Sequence, residues 1–148
     1  LSNSPRNIDH CVGLGIARRS LGDLRGSMTI LRHALTMAPE DENAIANLSV
    51  ACQHTCQWRD LAGLHRRLDK ITRRRLGDGE TPAEQPLFNI RRSDDLRLNL
   101  SVARAWSRHA RQRALKCATA MTHETRRPAG DPITVGYLSY DFRDHPMT

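Results

Sequence analysis

An imidazole placed just beyond an apolar run has the greatest chemical reach in this chain. Ile133, Val135, Tyr137 and Leu138 surround Gly136 and are entered through Pro132. They read as a short strand of a sheet covered on both faces. Ser139, Asp141, Arg143, Asp144 and His145 follow at once, with Pro146 behind them. In open α/β sheets, ligands sit in the crevice beyond the carboxyl ends of the strands, so such a fold would place a reaction here. His145 is the candidate catalytic residue. The proline after it biases its backbone toward an extended form, and an imidazole near neutrality takes a proton from a hydroxyl or holds a sugar or peptide group. Taken alone, a loop histidine is more often structural. Asp141 and Ser139 read as turn formers and strand-end hydrogen bonders.

Other reactive residue types offer less. Cys52 and Cys56 are four residues apart and share a helix face, as zinc ligands do, but His54 projects elsewhere and no second pair of ligands has suitable spacing. A buried cysteine acts as a small apolar filler, so no metal or cofactor is expected. The four cysteines are too sparse for a secreted disulfide scaffold, which points to a reducing cytoplasm. Lysine and arginine number 23 against 16 acidic residues, a formal charge of +7. Arg66, Arg67, Arg73, Arg74 and Arg75 form the densest run, yet no aromatic residue interleaves with them to make the stacking platform used for single-stranded nucleic acid. Solvated helix faces explain the charge, and no nucleic acid partner is expected. No apolar stretch is long enough to span a bilayer, so no membrane role is expected.

The elements that must position His145 lie upstream. Leu14-Gly15 and Ala17 match the first helix of a tetratricopeptide unit, Gly22-Asp23-Leu24 its turn, Leu31, Ala34 and Leu35 its second helix, and Pro39 its close. One period of 34 residues later, Ile45, Leu48, Ala51 and Cys52 recur on a first helix. Trp58 then stands where Leu24 stood, and Leu61, Ala62 and Leu68 carry the second helix. The wording decays, with Cys56-Gln57 for Gly22-Asp23, as expected of a terminal repeat meeting a different neighbour. Two units are few for a stable array, so further repeats are expected upstream. From Leu76 to Ser93, glycines and prolines signal a loop pinned by Pro86-Leu87-Phe88. Ser93-Asp94-Asp95 then opens an amphipathic helix, capped by the serine, with Leu96, Leu100, Ala103 and Ala110 in one stripe, Leu98, Val102 and Ala105 beside it, and Trp106 as its packing anchor.

The segment Val135-Gly136-Tyr137-Leu138-Ser139-Tyr140-Asp141-Phe142-Arg143-Asp144-His145-Pro146 resembles the opening of the catalytic region of the protein O-GlcNAc transferases and their SPINDLY relatives. Upstream, Pro86-Leu87-Phe88, Ser93-Asp94-Asp95 and Ala103-Arg104-Ala105 stand in the order seen in bacterial members. The resemblance implies a mainly α chain leading into a GT-B enzyme of two Rossmann-like lobes. Residues 1–75 would be two tetratricopeptide-like repeats, the second degenerate; 76–130 a connector of loop and helices; and 131–148 the truncated start of the catalytic domain, with its first strand. It further implies inverting transfer of N-acetylglucosamine from UDP-GlcNAc to serine or threonine hydroxyls, without a metal. SPINDLY-type members transfer fucose, so the donor stays open. His145 would lie in the active site, with its role as general base debated within the family. Asn47 would bind the acceptor, since asparagines at its repeat position hold the backbone of a polypeptide along the groove, although Gly13 occupies that position one repeat earlier. The partners implied are a protein or peptide acceptor and a nucleotide sugar. The second lobe is not contained in these residues, so the chain alone is expected to be inactive. A non-catalytic tetratricopeptide adaptor is the alternative.

Overall fold

In a computed structural model, residues 5–117 and Gly136 are described. The described residues are mainly helical, with six helices and no strand. α1 (Pro5–Ser20) and α2 (Leu24–Met37) form one antiparallel hairpin, and α3 (Glu42–His54) and α4 (Trp58–Gly77) form a second. α1 packs on α2, α2 on α3 and α3 on α4, and α1 also meets α3, so the first helices of both hairpins lie side by side.

The two hairpins repeat the principal bonds of their turn. In the first, the amide of Leu21 donates to the Ala17 carbonyl at 3.1 Å and that of Asp23 to Arg18 at 2.9 Å. Thirty-four residues later, Thr55 donates to Ala51 at 3.1 Å and Gln57 to Cys52 at 2.9 Å. This turn requires a left-handed residue after the helix, which costs glycine nothing. Gly22 supplies it with φ +83°, and Cys56 is forced into it with φ +55°. Asp23 caps α2 through the amide of Gly26 at 2.8 Å, and Asp41 caps α3 through that of Ala44 at 2.7 Å. Gln57, standing where Asp23 stood, makes no side-chain cap.

Close approach explains the small residues of the first hairpin. A Cβ on Gly15 would lie 2.7 Å from Leu31 Cγ, and the Ser27 hydroxyl donates to the Gly15 carbonyl at 2.7 Å across the crossing. Leu31, Ala34, Ile45, Leu48, Ala51, Cys52, Leu61, Leu64 and Leu68 then share one buried cluster. Ala62, expected to face inward, is exposed.

After α4, Gly79 (φ +75°) reverses the chain; its own amide donates to the Leu76 carbonyl, and those of Asp78 and Glu80 donate to Arg74 and Arg75. The expected loop over Leu76–Ser93 proves to contain a helix, α5 (Pro86–Arg92). Pro86, read as a breaker, sits at the first helical position, where its missing N–H is no loss and its φ is already helical. α6 (Leu96–Cys117) follows and packs on α4 and α5. Its cap is Asp95 and not Ser93: the Asp95 carboxylate accepts from the amides of Leu98 at 3.1 Å and Arg97 at 3.0 Å. The Leu98 amide and the Arg73 guanidinium hold the Asp95 carboxyl below its ordinary range.

The buried stripe of α6 is Leu98, Val102 and Ala105, whereas Leu96 is 80% and Leu100 51% exposed. Periodicity offered two adjoining stripes on this helix. The Arg73–Asp95 ion pair at one end and a Trp106 indole bond to the Glu84 carbonyl further along fix which of them turns inward. Among the described residues, no helix is long and apolar enough to cross a membrane.

Candidate functional site

Polar groups converge where α1 and α3 face the connector. Asn47 stands on α3, half-buried, with Asn43 one turn earlier on the same face. The Asn47 Nδ2 donates to the Asn43 carbonyl at 2.9 Å. Its Oδ1 has no donor among the described residues. Arg19 from the last turn of α1, Phe88 of α5 and Trp106 of α6 complete the wall, with Ala46 and Val50 beneath, around a cavity of about 230 Å³.

The connector side of this cavity is held by a buried ion pair. Glu84 and Arg92 are 3% and 2% exposed, and Arg92 reaches both carboxylate oxygens of Glu84, from Nε at 2.5 Å and from a terminal nitrogen at 2.7 Å. Asn89 donates to the same carboxylate at 2.9 Å, and the other Arg92 nitrogen extends to Asp69 of α4 at 2.7 Å. Burial works against the Arg92 charge, but the hydrogen bonds of Glu84 and Asp69 outweigh it and raise its pKa. The main chain of Glu84 serves the other side, its carbonyl accepting the Trp106 indole N–H at 2.9 Å. Trp106 is thus the expected anchor of α6, and it also lines the cavity.

Arg19 differs from the arginines of the densest basic run. Within that run, Arg73 pairs with Asp95, Arg67 bonds the Pro39 carbonyl, and Arg75 binds Glu42 and Glu80, so three of the five bridge neighbouring segments. Arg19 has no carboxylate partner among the described residues, and its Nε is buried without an acceptor. Its guanidinium lies 6.0 Å from the centre of the Phe88 ring.

A second cleft, of about 510 Å³, lies at the α3–α4 turn beside His54, Trp58, Leu61 and His65. Burial, with Arg92 nearby, pushes the His65 pKa below its ordinary value. Cys52 is buried, its sulfur 3.9 Å from that of Met28, with burial pushing its thiol up, whereas Cys56 is exposed at the turn.

Of the residues singled out by sequence, Asn47 lies in the wall of the cavity, and Gly13 is exposed on α1. His145, Ser139, Asp141 and the strand around Gly136 lie outside the described residues, Gly136 excepted. Sequence reasoning missed Arg19, Asn43 and Phe88. The spacing of Asn43 and Asn47, four apart on one helix, was the available signal. No protein-family model matches the chain, and no curated protein or solved structure matches it.

Proposed function

We propose that this chain is the acceptor-delivering region and catalytic threshold of a protein glycosyltransferase of the O-GlcNAc transferase and SPINDLY type. The order of four sequence features carries this proposal: Pro86-Leu87-Phe88, Ser93-Asp94-Asp95, Ala103-Arg104-Ala105 and the segment ending in His145-Pro146. The position of Asn47 in a groove wall supports it, because a carboxamide there can hold a peptide unit without reading its side chain. The two hairpins are tetratricopeptide repeats in this view, and the connector leads to the first strand of a GT-B lobe.

The family resemblance implies the reaction, whose diphosphate-binding groups would lie in the remainder of the parent enzyme. The His145 imidazole accepts the proton of an acceptor serine or threonine hydroxyl, whose oxygen attacks the anomeric carbon of UDP-GlcNAc opposite the leaving UDP, inverting that centre. The charge on the departing diphosphate is met by a helix amino terminus and a lysine, with no metal.

The test is transfer of radiolabel from UDP-GlcNAc to serine- and threonine-containing peptides by the full-length parent, with a fucose donor in parallel. His145→Ala is expected to preserve the far-UV circular dichroism spectrum and to reduce transfer by about 100-fold or more. Unchanged turnover removes His145 from the active site. One observation favours a second reading, a peptide-binding adaptor: the cavity is lined entirely by residues between Ile16 and Trp106. Peptide binding by the parent with transfer from neither donor would establish the adaptor.

A further inference from the structure

Among the described residues, the cavity walled by Arg19, Asn43, Asn47, Phe88 and Trp106 carries one formal charge without a partner. The Glu84 carboxylate facing this region is consumed by Arg92 and Asn89, and its carbonyl by Trp106. Arg19 keeps its donors. A guanidinium presents five N–H groups in a fixed fork suited to a carboxylate, and among the described residues none of those on Arg19 has an acceptor. The Phe88 ring, 6.0 Å away, restrains the guanidinium without occupying any N–H. Holding a cation half-buried and unpaired is unfavourable, and an anion seated against it relieves that penalty. The carboxamides of Asn43 and Asn47 stand nearby on α3 and have the right chemistry for the peptide units flanking such a group. A cavity of about 230 Å³ holds one or two side chains and excludes a folded partner.

We infer that this pocket receives a carboxylate of the polypeptide lying in the groove, docked on Arg19. The groove would then favour acidic segments or a chain terminus. The inference rests on the groove holding polypeptide, which both the transferase and the adaptor readings require.

The intact 148-residue chain carries two tryptophans. Trp58 is 65% exposed, so Trp58→Phe leaves Trp106, in the cavity wall, as the sole indole fluorophore. In that background, three peptides of otherwise identical Ala/Ser/Thr sequence are titrated: amidated with a central glutamate, amidated with a central glutamine, and glutamine-containing with a free C-terminus. The glutamate peptide or the free-terminus peptide is expected to change Trp106 fluorescence at a concentration about tenfold or more below the amidated glutamine peptide, with weakening at high salt. The first and third peptides, each compared with the second, distinguish a side-chain carboxylate from a terminal one. Arg19→Gln is expected to abolish the preference, and Arg19→Lys to keep part of it. Equal binding of all three peptides overturns the carboxylate inference while the groove survives. An Arg19→Gln variant that melts lower yet keeps the preference overturns it too, by making Arg19 only a cation at the end of α1. No response to any peptide removes both the carboxylate site and the groove.

Discussion

Cys56 shows how the repeat outlived its own wording. Its place one period after Gly22 was legible in the sequence, but the backbone it must adopt was not, because cysteine alone gives no hint of a left-handed residue. The hydrogen bonds around it reproduce those around Gly22, so the second turn keeps its geometry against the preference of the side chain. A non-glycine residue in this region is disfavoured by about 1–2 kcal/mol, part of which glycine returns through its freer unfolded chain. Cys56→Gly is therefore expected to stabilise the protein by about 0.5–1 kcal/mol. Urea denaturation checks this as a raised midpoint at unchanged slope. Arg19 was illegible for a different reason: an arginine in the last turn of a helix normally serves the dipole, and only the fold shows which neighbours it lacks.

The connector was the least legible of the elements. Proline at the first position of α5 reads as punctuation in a linear sequence. The two apolar stripes of α6 differ only in what α4 and the preceding loop offer them. The clamp that ties this loop and α5 to α4 joins Glu84, Asn89 and Arg92 to Asp69, residues from three separate segments. Removing one partner of a buried, hydrogen-bonded ion pair leaves an uncompensated charge, which costs about 3–5 kcal/mol. Glu84→Ala is expected to lose stability on this scale and to open the 78–85 stretch to limited proteolysis. Glu84→Leu with Arg92→Met, which removes both charges, is expected to recover most of the loss. Equal stability of the wild type and Glu84→Ala in urea would show that the clamp holds nothing.

At the scale of the molecule, the helical class and the two hairpins were readable from period, turn glycine and closing proline. The buried cluster joining α1 to α4 and the apolar stripe of α6 all fall within one compact unit, Leu1–Cys117. A polypeptide of residues 1–117 is accordingly expected to keep its helical circular dichroism and to melt cooperatively, whereas a broad, non-cooperative melt would contradict the unit. Asn47 was legible because the period assigned it a place. The cavity it faces was not, since three of its walls come from parts of the chain with no common period. Glu84 gives that cavity a thermodynamic character of its own, because its carboxylate fastens α5 while its carbonyl steadies Trp106. Anything that settles against Trp106 thereby favours the docked arrangement of the connector, and the docked connector tightens its hold on the occupant by the same factor.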